Sequence, residues 1–212
     1  MDSKYFFAVL IFGGIILIGI LTFALTPVPE ESPSNIEAVR DEGTTTKTAS
    51  AVGGPFSLVD HNGQDVTEQD YAGKYKLIFF GFTHCPGICP GELNKISAVL
   101  DLLGEQAQDI QPLFISIDPE RDTPEEMKEY VGLFDDRIIG LTGTPAQIEQ
   151  VKNDYKIYAS KMEMKGAMAA EGNYMMDHST YTYLMTPDNE LLLVFNIQDT
   201  AEDISVEIKS HF

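Results

Sequence analysis

The apolar run KLIFFGF, residues 76–82, leads straight into the chain's only two cysteines, Cys85 and Cys89, and then into a helical pattern. No feature narrows the fold more. The run lies between Gly73 and Pro86 and shows no polar–apolar alternation, as expected of a strand covered on both faces. After Pro90 the residues Leu93, Ile96, Val99, Leu100 and Leu103 recur at helical spacing, up to about Gln108. A cysteine motif between a doubly buried strand and a helix points to a thioredoxin-like fold.

The surrounding elements alternate. PFSLVDHNGQDV carries an Asn62-Gly63 turn between apolar residues, a hairpin signal. PLFISIDP and RIIGLTG read as further strands. Thr123-Pro124-Glu125-Glu126 and Thr144-Pro145-Ala146-Gln147 each place Thr at an N-cap, Pro in the first turn and Glu or Gln at the capping-box position, so each opens a helix. STYTYLM and ELLLVFNI flank Thr186-Pro187-Asp188-Asn189 as a second hairpin, and Thr200 opens a last helix to about His211. Alternating strands and helices require parallel pairing through right-handed crossovers, and the last hairpin adds antiparallel strands. The expected class is α/β: a thioredoxin-like mixed sheet flanked by helices, with an N-terminal hairpin.

Residues 1–25 read as a membrane anchor. Residues 5–25 carry no charge and are long enough to cross a bilayer as one transmembrane helix at about 1.5 Å per residue. The apolar region of a cleaved signal peptide runs only about 7–15 residues, so this run is too long for one despite the cleavage-like Thr22-Phe23-Ala24. Lys4 is the only base before the span, and the Arg40 and Lys47 that follow it are diluted by acids. That bias places the N-terminus in the cytoplasm and the body outside. The expectation is a single-pass protein of the bacterial cytoplasmic (inner) membrane with its C-terminal domain in the periplasm. Residues 26–52 are rich in Pro, Ser, Thr and acid, a flexible tether. Residues 53–212 form one domain with 11 bases against 27 acids, out of a net charge of −19 for the chain. Such a surface excludes a nucleic-acid partner.

Pro90 suits the first helical position, which puts Cys89 at or just before the N-cap and Cys85 in the preceding loop. Redox loops usually read C-x-x-C; this one is C-x-x-x-C. The extra residue still permits a disulfide if the Cα atoms come within about 7 Å. It also widens the loop so that both sulfurs can face one ion. Two thiolates are too few for a closed zinc site, but with a third, neutral ligand they suit low-coordinate Cu(I). A structural staple is the poorest reading, because it would close a very short loop and remove little chain entropy. On the residues alone, redox pair and metal pair both stand.

Of the four histidines, His61 and His211 are expected to be exposed and without a role. His84 adjoins Cys85, and neighbouring side chains of extended chain point apart, which argues against it as a co-ligand. His178 lies in MMDHSTYTYLM, immediately before a strand. FGFTHCPGICP, SIDPERDTP and DHSTYTYLMTPDNELL together resemble the SCO/SenC family of copper-binding proteins, membrane-anchored thioredoxin-like proteins that help assemble cytochrome c oxidase. The resemblance runs from about Gly53 to the end. It implies that Cys85, Cys89 and His178 bind copper, as Cu(I) and also as Cu(II). The partners it implies are the copper-site subunit of cytochrome c oxidase, other copper chaperones and thiol reductants. Thioredoxins carry a cis-proline before the corresponding strand; here Asp177-His178-Ser179 takes that place, which suits a metal better than a bound thiol substrate. One position departs from the family: its motif usually has Asp between the cysteines, CPDxCP, and this chain has Gly87.

Five of the eight methionines, Met162, Met164, Met168, Met175 and Met176, fall in a stretch expected to be a loop leading into His178. Thioethers are soft Cu(I) ligands, so one reading is a metal relay and the other a mobile, partner-facing loop. Asp118 and Asp122 are expected to be structural, with Glu120, Arg121 and Asp122 pairing locally. The functional expectation is a membrane-tethered copper chaperone that serves the dinuclear copper centre of cytochrome c oxidase. The alternatives are a thiol–disulfide oxidoreductase using Cys85 and Cys89 without His178, and a copper- or redox-responsive signalling module. Peroxidase chemistry is disfavoured, since Phe82 stands where P-x-x-x-T-x-x-C requires Thr.

Overall fold

In a computed structural model, residues 52–163 and 174–211 are described. The expected anchor and all but the last residue of the tether lie outside them. No helix among the described residues is long and apolar enough to cross a membrane.

The unalternated apolar run forms β3 (Tyr75–Gly81), and its position explains its composition. It lies inside a seven-stranded sheet, parallel to β4 (Ile110–Ser116) on one side and antiparallel to β8 (Thr182–Met185) on the other. The N-terminal hairpin, β1 (Ser57–Asp60) and β2 (Asp65–Thr67), joins the far edge through β5 (Ile139–Thr142), and β9 (Leu191–Phe195) closes the near edge. The strand order is β2-β1-β5-β4-β3-β8-β9. Gly63, at φ 78°, makes the tight turn of the first hairpin, and Asn189, at φ 65°, that of the last.

Successive β3 side chains serve opposite faces. Phe79 stacks on Phe114 of β4, and Phe80 packs against Tyr155 and Tyr183 on the other side. The helices are α1 (Ile88–Leu103), α2 (Pro124–Val131), α3 (Pro145–Tyr155) and α4 (Ala201–Lys209). α1 packs against α4, and Leu93, Ile96, Val99, Leu100 and Leu103 are its buried stripe, as their spacing predicts. Thr144 and Thr200 form full capping boxes with Gln147 and Asp203. Thr123 caps only through its own side chain, which accepts from the Glu126 N–H.

Three expectations need correction. α1 starts at Ile88, with Gly87 as its N-cap, so Cys89 lies inside the first turn rather than ahead of it. Pro90 does not forbid this, because the first-turn N–H groups have no intrahelical acceptor to lose. The methionine-rich stretch is not a loop throughout. β6 (Ala159–Glu163) and β7 (Tyr174–His178) pair antiparallel as a separate ribbon, with Met162 opposite Met175. Met164 and Met168 lie outside the described residues. His61 is not idle: its Nδ1 accepts from the Gly140 N–H at 3.0 Å while its backbone N–H donates to the Gly140 carbonyl, extending the β1–β5 pairing.

Candidate metal centre

The thiols meet where β3 ends and α1 begins. Beyond Gly81 the chain turns, and the Cys85 N–H donates to the Phe82 carbonyl. One helical turn later, the Cys89 N–H points at Cys85 Sγ, 3.4 Å away. Both cysteines are free. Cys89 is fully buried, whereas Cys85 is partly open to solvent. This asymmetry sets their chemistry. The Cys89 thiol, with the backbone N–H groups of Cys89, Gly87 and Ile88, stabilises a Cys85 thiolate and brings Cys85 down to about 5 against the cost of burial. Cys89 is pushed far up by its hydrogen bond to Cys85, by burial and by the Cys85 charge. At neutral pH the pair is one thiolate and one thiol.

Gly87 contributes by what it lacks. As the N-cap it supplies no side-chain acceptor, and the first turn holds no acid. The unclaimed N–H groups and the positive end of the helix dipole are left to Cys85.

His178 ends β7 at the same end of the sheet. Its ring meets Phe82 edge-on at 5.8 Å between centroids. His178 Nδ1 lies 2.7 Å from the Ser179 carbonyl. A carbonyl only accepts, so Nδ1 carries the proton and the Nε2 lone pair is free for a ligand. Burial lowers its pKa, against the Ser179 bond and the Cys85 charge, which favour the cation. The imidazole is therefore neutral at pH 7, the form that binds metals. The cysteines are brought together and His178 lies within electrostatic range of Cys85. Among the described residues, however, no three His, Cys, Asp or Glu side chains converge closely enough to hold an ion. The donor chemistry, two sulfurs and a neutral nitrogen, fits copper.

His84 turns away from the pair. Thr83 Oγ1 donates to Asp122 Oδ1 at 2.7 Å and has no second proton, so His84 Nδ1–H donates to it at 2.9 Å. Asp122, buried beneath the cysteine loop, is the residue whose part the sequence concealed. It accepts from Ser116 Oγ at 2.5 Å and from the Thr83 hydroxyl and backbone N–H, anchoring the turn that carries Cys85. Burial raises its pKa, opposed by the Ser116 and Thr83 bonds. The expected local pairing of Glu120, Arg121 and Asp122 does not form: Arg121 pairs with Asp118, Glu120 with Lys161, and Asp122 with Ser116 and Thr83. The Asp118 and Ser116 partners lie within the same turn, whereas the Lys161 and Thr83 partners come from about forty residues away and are assigned only by the tertiary fold.

A mixed sheet with a dithiol at the strand-to-helix junction defines a thioredoxin-like domain, here without a cis peptide bond among the described residues. Within that class the chain belongs to the SCO1/SenC family, whose model matches residues 44–212. It is 39% identical to protein sco1 of Schizosaccharomyces pombe over 183 residues, 86% of this chain and 69% of that one. It spans only 54% and 52% of the Arabidopsis thaliana and human mitochondrial SCO1 homologues. Among solved structures, Bradyrhizobium japonicum ScoI with copper bound is 44% identical, with a TM-score of 0.69 covering 76% of this chain and all of that one. BsSco is a member of the Sco family of cytochrome c oxidase assembly proteins in which a disulfide switch is identified. It is 25% identical, with a TM-score of 0.58 over 76% of this chain and 93% of its own.

Proposed function

We propose that this protein is a membrane-tethered copper chaperone that captures copper on Cys85, Cys89 and His178 and delivers it to the dinuclear copper centre of cytochrome c oxidase. The observation that carries the proposal is the pairing of a Cys85 thiolate with a Cys89 thiol beside a neutral imidazole whose Nε2 is free. Copper is cargo here. Cys85 meets Cu(I) already charged, Cys89 gives up its proton as it binds, and His178 adds a neutral nitrogen. Two thiolates and an imidazole leave the bound ion with one net negative charge, which the helix N-terminus stabilises. His178 completes the set by moving toward the sulfurs. Residues 1–25 anchor the domain in a bacterial inner membrane, and residues 26–52 give it reach to a receiving subunit in the periplasm.

Because Cys89 must lose a proton, Cu(I) affinity rises with pH between the Cys85 and Cys89 values, by about tenfold per unit. The test is anaerobic Cu(I) titration of the reduced protein under chelator competition, beside His178→Ala. One tightly held copper per chain, weakened strongly in the variant, supports the three-ligand site; affinity indifferent to His178 overturns it.

The same asymmetry favours a second reading, thiol–disulfide exchange. A Cys85 thiolate attacks a partner disulfide and releases one partner sulfur as thiolate. Cys89, once deprotonated, then attacks Cys85 and releases the other. The partner gains two electrons and this chain ends as the Cys85–Cys89 disulfide. This route needs no His178, so a His178→Ala variant that exchanges disulfides at the wild-type rate while failing to hold copper separates the two activities.

A further inference from the structure

The β6–β7 ribbon shares no backbone ladder with the seven-stranded sheet among the described residues, and a two-stranded ribbon alone is marginal in water. Side chains must hold it to the body. Ala159, Met175 and Met176 pack against the core, and Arg121, in the turn after β4, makes a group of polar and ring contacts to Tyr174. Its Nε lies 2.5 Å from Asp118 Oδ2, and its Nη1 donates to the Tyr174 carbonyl at 3.0 Å. Its guanidinium carbon lies 3.7 Å from the centre of the Tyr174 ring and 5.8 Å from that of Phe82. The Tyr174 hydroxyl donates to Asp118 Oδ1 at 2.6 Å, closing a three-residue ring. From β6, Lys161 reaches the same ring at 4.6 Å and pairs with Glu120.

Arg121 Nη2 is buried without a partner, so this arginine does not simply satisfy every donor. It offers reach. A planar fork can meet a carboxylate, a backbone carbonyl and two ring faces at once, which a lysine ammonium cannot. Phe82, beside the guanidinium, is the ring on which His178 rests.

We infer that Arg121 is a positioning residue for His178: it clamps Tyr174, the first residue of β7, to the Asp118 turn and so fixes the pivot from which the imidazole at the strand's other end closes on Cys85 and Cys89. The inference rests on the metal-site reading above. No hydrogen bond joins Arg121 to a cysteine or to His178; it acts through the strand. Because the ribbon stands outside the main sheet, releasing it frees residues 174–178 locally and leaves the core folded.

The test compares full-length wild type in detergent with Arg121→Gln, with the pair Arg121→Gln/Asp118→Asn, and with His178→Ala. The paired variant removes both charges, so no buried carboxylate is stranded if the single variant folds poorly. In the metal-free protein, amide exchange at residues 174–178 is expected to accelerate about tenfold or more in both Arg121 variants, with β3 and β4 unchanged. Cu(I) affinity in Arg121→Gln should fall by the same factor as in His178→Ala, and adding His178→Ala to it should cost nothing more. Alkylation of Cys85 should keep its wild-type pH profile. Unchanged exchange at 174–178 in the folded variants overturns the clamp, and losses from Arg121 and His178 that multiply overturn the coupling. A His178→Ala variant with wild-type affinity overturns the ligand reading, and the exchange data then separately decide whether the clamp exists.

Discussion

Gly81→Ala tests how tightly the sheet is fitted around the buried thiol. Gly81 ends β3 without a positive φ, so its role is close approach rather than backbone freedom. A methyl group there would sit 2.7 Å from Phe114 Cε2, 2.8 Å from Cys89 Sγ and 3.2 Å from Phe79 Cε1. All three neighbours are fully buried, so none can swing into solvent. Overpacking of this kind costs about 1–3 kcal/mol, and replacing a strand glycine returns about 0.5–1 kcal/mol. Taking the middle of each range, the net destabilisation is roughly 1 kcal/mol, or a fall in Tm of roughly 2–4 °C. Thermal unfolding of the reduced protein reads this directly. Alkylation of Cys85 against pH then shows which neighbour yields. If Cys89 moves, its hydrogen bond to Cys85 weakens and the Cys85 profile shifts upward from about 5; if Phe114 moves, only Tm falls. A variant as stable as wild type with an unshifted profile would refute the reasoning.

In the wild type, alkylation of Cys85 by a neutral reagent should be half-maximal near pH 5 and level above about pH 6, because only the thiolate reacts. Cys89 should react far more slowly. Gly87→Asp meets no atom within 4 Å of its new Cβ; it should stabilise α1 by a few tenths of a kcal/mol while raising the Cys85 pKa, since the carboxylate claims first-turn N–H groups and repels the thiolate. That is measured by paired denaturation and alkylation curves. Asp122 has a folded-state pKa above its unfolded value of about 3.9. Its stabilisation is thus fully present below that unfolded value and is lost as pH rises through the folded one. Asp122→Asn removes the titration, so its stability deficit relative to wild type should shrink as pH rises. Denaturant midpoints from acid to neutral pH check the sign, and a deficit that grows with pH contradicts it.

The fold was legible wherever a signal is local. The doubly covered β3, the hairpins at Asn62-Gly63 and Thr186–Asn189, and the capped helices after Thr123, Thr144 and Thr200 follow from periodicity, turn chemistry and capping. The ribbon was not legible, because ASKME and YMMDH are short and neither shows the apolar–polar alternation that marks a strand. The first turn of α1 was misread because proline is acceptable at more than one early helical position.

The sequence by itself determined that two cysteines stand between a buried strand and a helix, with a histidine ahead of a late strand, since each is a matter of spacing along the chain. Tertiary structure alone decided that these cysteines are unequal. Cys89 is sealed under Gly81 and Phe114 while Cys85 faces solvent and the free N–H groups of α1, and desolvation depends on which atoms surround a sulfur, not on its neighbours in sequence. The same holds for Asp122 beneath Thr83 and for Arg121 against Tyr174. Hydrogen bonds across 39 and 53 residues exist only once the sheet brings their ends together.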